Sequence, residues 1–147
     1  GNEYVCSARA GTLPLTGLMV YPGTRRPLFT SAGGVAILQT LPAGKAREIL
    51  LDNVEQEIKS HGTGRLEVLQ KMREHSDEHG FGVNRGVVVP GVYAFGMPVR
   101  DRQDAAFASL CLVGTPELYE AVALETLRES LQLAAGEIED AARQFGI

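Results

Sequence analysis

The chain has 147 residues, 44% of them hydrophobic and 22% charged, with a net charge of −4. That length suits a single domain, whose core is large enough to need neither a disulfide nor a metal. Acids and bases are scattered along the chain, which excludes a basic face for direct contact with nucleic acid. No apolar run approaches the ~18 residues of a membrane span, and no secretory signal is visible.

The start, GNEYVC, enters a strand pattern at once without a methionine, and reads as a boundary with further chain upstream. Thr12 to Pro14 form a turn, and LTGLMVY (15–21) reads as a second strand. In RRPLFTSAGGVAIL, Ser31 stands at a helix N-cap position and opens a helix to about Thr40. Two adjacent glycines, Gly33 and Gly34, fall in its first turn, where each costs up to ~1 kcal/mol relative to alanine. Either backbone presses close there or a ligand does. Pro42 ends this helix and starts the next at an N1-like position. PAGKAREILLDNVEQEI carries apolar residues at Ala46, Ile49, Leu50, Val54 and Ile58, which is helical spacing. HGTG (61–64) is a loop, and RLEVLQKMREHSDEHG is a third helix with Leu66, Leu69, Met72 and Arg73 on one side and Gly80 as its stop.

FGVNRGVVV and VYAFGMPVRD read as strands around a Pro90-Gly91 turn, RDRQD as a polar turn, and AAFASLCLVG as a further apolar strand. The closing segment from Pro116 has apolar residues at 118, 122, 127, 131, 134, 138, 141 and 145, as one long amphipathic helix or two in sequence. This order of elements predicts an α+β fold, an antiparallel sheet with helices packed on it, as one domain over 1–147. Cys6 and Cys111 sit in apolar strand-like runs without a CxxC partner. They are expected to be buried free thiols in a reduced, cytoplasmic setting. Around Cys111 an apolar strand raises the thiol pKa and leaves it inert.

With these elements in place, the chain resembles the C-terminal effector-binding domain of transcriptional regulators of the isocitrate lyase regulator (IclR) type. RPLFTSAGGVAIL, the segment HGFGVNRGVVVPGVYAFGMPV and AAFASLCLVG carry the resemblance, through Gly80, Phe81, Pro90, Gly91, Gly96, Pro98, Val99 and Gly114. The resemblance implies a GAF-like fold, a curved antiparallel sheet with helices on both sides. It also implies a small-molecule effector, often a carboxylate or aromatic acid, bound on one sheet face. Further implications are a dimer or tetramer and a winged helix-turn-helix domain upstream that contacts DNA. By the same resemblance Ala32, Gly33, Asn84, Val92, Ala94, Cys111 and Val113 line the effector pocket, with Leu15 and Leu18 as its lid or wall.

The chain departs from the family pattern at Val35, where lysine is usual, and at Gly86 and Val87, where an acidic pair is frequent. Asn84 replaces an aspartate-like position, and Cys111 and Val113 replace serines. These changes remove charge and hydroxyls, and an unpaired buried polar group costs ~1–3 kcal/mol. The expected effector is therefore an apolar acid, aromatic or aliphatic, with its carboxylate at the helix N-terminus by Ala32 and Gly33. No catalytic set, metal or cofactor is expected.

Two alternatives stand beside this reading. One is a ligand-free oligomerisation module whose pocket is filled by its own side chains. The other is a zinc-dependent hydrolase built on HSDEH (75–79), which spells H-x-x-E-H. His75 and His79 are four residues apart on one helix face, but the helix is expected to stop at Gly80. No third ligand is placed, and His61 is the only other histidine of the chain.

Overall fold

The computed structural model describes residues 1–11 and 21–147. The expected turn at 12–14 and most of the expected strand at 15–21 lie outside the described residues. A short antiparallel pair, β1 (Glu3–Val5) and β2 (Arg25–Pro27), leads through a 3-10 turn at Leu28–Thr30 into α1 (Ala32–Leu38). Then follow α2 (Ala43–His61), α3 (Leu66–His79), the strands β3 (Gly82–Arg85), β4 (Tyr93–Arg100) and β5 (Ala106–Gly114), and finally α4 (Pro116–Tyr119) and α5 (Leu124–Arg143). The three later strands form one antiparallel sheet in the order β3-β4-β5. The expected α+β class, with helices on both sheet faces, is the observed one.

Strand alternation divides the sheet cleanly. Phe81, Val83, Phe95, Met97 and Val99 pack with Leu127, Leu131 and Ala135 of α5. Full burial of a side chain such as Phe95 contributes ~1.5–3 kcal/mol relative to exposure, and Phe95 also meets the Tyr119 ring edge-on at 5.3 Å between centroids. The opposite face is lined by small residues, and α1 lies against it. Beyond α1, a second cluster joins Leu28, Phe29, Val35 and Leu38 to Ile49 of α2 and Leu69 and Met72 of α3.

Several elements differ from the sequence reading, each for a local reason. The first expected strand of the late sheet, 81–89, pairs only over Gly82–Arg85. Gly86 turns left-handed (φ 75°) and Asn84 Oδ1 accepts the Val87 N–H at 3.2 Å, which together end the ladder. Pro42 is the N-cap of α2 rather than its first residue. Of the two forms expected for the final segment, two helices in sequence is the observed one, because Ala123 takes an extended backbone (ψ 139°). Its buried stripe is Leu127, Leu131 and Ala135, whereas Ile138 and Phe145 are exposed. Gly80 does end α3, in the left-handed conformation at φ 74°. Both cysteines are free, but Cys6 is half-buried and Cys111 exposed, against the expectation that both are buried.

The inner side of α2 departs furthest from the apolar pattern. Its buried positions are Ile49, Asn53 and Glu57, while Ile58 is exposed. Asn53 Oδ1 accepts the Phe29 N–H and its Nδ2 donates to the Asn2 carbonyl, both at 3.0 Å. Glu57 receives two hydrogen bonds from Arg65, Nε at 2.8 Å and Nη2 at 2.6 Å. The Arg65 bonds, outweighing the opposing effect of burial, hold the Glu57 carboxyl below its ordinary pKa, with His61 adding to the attraction. In α3 the buried Ser76 accepts the Val83 N–H at 2.9 Å and donates to the Met72 carbonyl at 2.7 Å, tying β3 to the helix.

Two stability predictions arise. Adding a methyl at Gly136, inside α5 with open space around it, should stabilise the fold by up to ~1 kcal/mol. Adding one at Gly34, where Cβ would collide with the Leu28 carbonyl, should destabilise it. Urea melts of Gly136→Ala and Gly34→Ala check the opposite signs. Because the Glu57 pKa is lowered in the fold, its contribution is present above the ordinary carboxylate pKa. It is lost as pH falls through the folded value. Glu57→Gln should lower stability at neutral pH and flatten its decline in acid, as read from melting temperature between pH 7 and pH 3.

Candidate functional site

The face of the sheet turned toward α1 is built in rows by strand register. One row runs Asn84, Ala94, Val113; the next runs Gly82, Gly96, Cys111; a third pairs Pro98 with Ser109. Val92, two residues before Ala94, is buried just ahead of β4. The glycine row lets α1 approach as bare backbone. A Cβ on Gly82 would collide with the Ala32 carbonyl, and one on Gly96 would stand 2.7 Å from that oxygen and from Gly33 Cα.

The two adjacent glycines of α1 have separate contacts. Gly34 lies against the Leu28 carbonyl of the preceding 3-10 turn, and Gly33 lies against Cys111 Sγ and Ser109 Oγ. At both positions main chain or side chain of the protein itself takes the space of the missing Cβ. Part of the amide donor set at this end is in use. Ser31 Oγ accepts the Gly34 N–H at 3.0 Å, as an N-cap should. The Ser31 carbonyl accepts the Val35 N–H at 2.9 Å.

Cys111 keeps solvent access as a residue, yet its sulfur is withdrawn toward Gly33 and Ser109. Burial pushes the thiol pKa up, and Cys6 adds to this; the Ser109 hydroxyl and the Gly33 amide oppose it without cancelling it. Tyr4 of β1 brings its phenol to the same end of α1. Burial raises its pKa against the opposing hydrogen bonds of Ser31 and Thr30 and the charge of Arg26. Asn84 is buried with Oδ1 engaged by Val87; among the described residues Nδ2 makes no hydrogen bond.

Of the residues expected to line a pocket, Ala32, Gly33, Asn84, Ala94, Cys111 and Val113 share this face, with Val92 at its edge. Leu15 and Leu18 lie outside the described residues. Ser31, expected as the N-cap of α1, and Ser109, which strand alternation puts on one face with Cys111 and Val113, belong to the same neighbourhood; Tyr4 was not expected there. Ser109 was legible from the alternation that selects Cys111 and Val113, whereas Tyr4 arrives through a non-local hairpin. Val35, in place of the family lysine, is fully buried in the cluster with α2 and α3. Among the described residues, a cleft of about 460 Å³ opens between α1, α2 and α3 beside Val35, Leu50 and Arg73. Another of about 310 Å³ opens beside Thr40, Met97 and Gln132. Neither is lined by Ala32, Cys111 or Val113. His75, Glu78 and His79 all fall within α3, before its Gly80 stop. His61 is on α2, 3.5 Å from Glu57.

Residues 15–140 match the profile of the bacterial transcriptional regulator IclR C-terminal domain, and the chain belongs to that family. Solved structures share the fold. The Thermotoga maritima IclR aligns over 96% of this chain and 57% of its own, at 23% identity and a TM-score of 0.73. The Agobacterium tumefaciens repressor BlcR aligns over 95% of this chain and 55% of its own, at 22% identity and 0.71. An Alicyclobacillus acidocaldarius regulator of this type aligns over 95% and 56%, at 18% and 0.66. The chain thus spans little more than half the length of these regulators. No curated protein matches it in sequence. Among the described residues no helix is long and apolar enough to cross a membrane.

The environment of Cys111 has a measurable consequence. With its pKa raised, the thiolate is scarcer than for an ordinary cysteine at any pH below the shifted value. In a Cys6→Ala background, modification of Cys111 by a disulfide reagent at pH 7 should be slower than that of the unfolded chain. Its rate should go on climbing above pH 9. Stopped-flow absorbance across pH 6 to 11 checks both.

Proposed function

We propose that this domain is the sensory half of a transcriptional regulator. It binds a small, largely apolar acid, aromatic or aliphatic, on the α1-facing side of the sheet. In doing so it alters DNA binding by a winged helix-turn-helix domain elsewhere in the protein. The assembly is a dimer or tetramer in the cytoplasm, and the domain carries out no chemistry and uses no cofactor. Ala32, Gly33, Asn84, Val92, Ala94, Cys111 and Val113 form the binding surface, with Leu15 and Leu18 contributed by the neighbouring segment.

The observation that carries this reading is the row Asn84–Ala94–Val113. Two small apolar side chains lie beside the Asn84 carboxamide, whose Oδ1 accepts from Val87 and whose NH2 makes no hydrogen bond among the described residues. An aspartate at position 84 would repel a carboxylate; asparagine presents two donors to it. The apolar neighbours favour the body of an aromatic or branched acid over a small polar one. A ligand can shift the regulator only as far as its affinities for the two states differ.

One observation favours the second reading, a module that assembles without an effector: Cys111 and Ser109 already occupy the space beside Gly33. Thermal melting against a panel of acids separates the two. Saturating a site at 100 times Kd stabilises the folded state by about 2.7 kcal/mol. Benzoate-like acids should raise the melting temperature more than pyruvate-like acids. Asn84→Asp should abolish the rise, and Val113→Trp should block it by filling the surface. If no acid shifts the melt and Val113→Trp leaves assembly intact, the oligomerisation reading stands instead.

A further inference from the structure

We propose that the last turns of α3 form a binding site for a divalent transition metal of the zinc class, with His75, Glu78 and His79 as its protein ligands. Their spacing is i, i+3 and i+4, which brings Glu78 and His79 each within reach of His75. One ligand atom from each lies within 4.8 Å of the others. His75 Nδ1 is 3.8 Å from Glu78 Oε2, and the two imidazole rings meet edge to face with centroids 4.8 Å apart. Tetrahedral ligands at about 2.0–2.1 Å from zinc stand roughly 3.4 Å apart, so modest side-chain rotation closes the set.

Two imidazoles and one carboxylate select zinc and its neighbours in the transition series over magnesium or calcium, which take oxygen ligands. Three protein ligands leave a fourth position for water. Glu78 is exposed and both histidines are half-buried, so the site is open to solvent. Its backbone is held from behind: Ser76, fully buried between His75 and Asp77, is hydrogen-bonded to Val83 and Met72. The ligands therefore stand on a rigid element rather than past a frayed end.

Arg85 competes for the same ring. Its Nη2 lies 2.8 Å from His75 Nε2, and its positive charge opposes a cation there. Metal loading separates the guanidinium from His75 at the end of β3, one residue from Asn84.

The test uses the 147-residue chain without a histidine tag, titrated with zinc against a chromophoric chelator, with circular dichroism as a check on folding. One zinc per chain is expected. His75→Ala and His79→Ala should each weaken binding about tenfold or more, because a zinc site needs its full ligand set. Glu78→Gln, at an exposed position that leaves the core untouched, should also weaken it. Arg85→Ala should tighten binding, and His61→Ala should leave it unchanged. Zinc binding that survives the double variant His75→Ala/His79→Ala, or that follows Cys6 and Cys111 instead, overturns the site.

Discussion

The fold turns on a close approach of main chain to main chain. Four glycines make it possible from two sides. Gly82 and Gly96 strip a row of the sheet so that the Ala32 carbonyl and Gly33 Cα can rest on it, and Gly34 strips the helix where it meets the Leu28 carbonyl. A side chain at Gly34, Gly82 or Gly96 would have to displace backbone, which a packed interior does not accommodate cheaply. The position of α1 in turn decides the rest. Its other face, through Val35 and Leu38, carries the second core against α2 and α3. On the same sheet face Cys111 meets Gly33 of α1, and Val113 stands in the next row beside Ala94.

Polar side chains complete this arrangement at places where hydrophobic packing cannot set direction. Asn53 fixes the 3-10 turn ahead of α1, Glu57 with Arg65 fixes the turn between α2 and α3, and Ser76 fixes β3 against α3. Each is buried, and each has its hydrogen bonds met. A buried polar group left unpaired costs ~1–3 kcal/mol, so such residues disfavour alternative packings as much as they stabilise the native one. The exposed Leu51 and Ile58 on the same α2 helix show the converse. Hydrophobic character alone did not decide which side of α2 faces inward.

This explains what could be read from the chain in advance. The α+β class, the Ser31 cap, the Gly80 stop and the face shared by Ser109, Cys111 and Val113 are all local or strictly periodic, and periodicity survives folding. On α2 the spacing rightly gave Ile49, Leu50 and Val54, but not the burial of Asn53 and Glu57, whose partners lie 24 and 8 residues away, a distance at which pattern carries no signal. Residues 87–89 look like strand because all three are the β-branched valine, yet the Asn84 side chain and a left-handed Gly86 stop the pairing first. The assembly of Tyr4, Ser31 and Cys111 at one end of α1 depends on register between distant segments. The departure of Val35 from the family lysine could be seen in the sequence. That it points into the core with α2 and α3 could not.

The glycine pair also shows how one sequence feature can satisfy two demands unequally. A glycine-rich helix start offers amide donors and room for an anion. Here the room is taken at Gly34 by the Leu28 carbonyl and at Gly33 by Cys111 and Ser109, and the Gly34 donor is taken by Ser31. A carboxylate would have to displace the Cys111 and Ser109 side chains that stand beside Gly33. The Asn84 carboxamide requires no such exchange, since its NH2 group makes no hydrogen bond among the described residues. On this chain the balance for an acidic guest therefore moves from the helix end to the side chain at position 84, with Ala94 and Val113 supplying the contact for its apolar body.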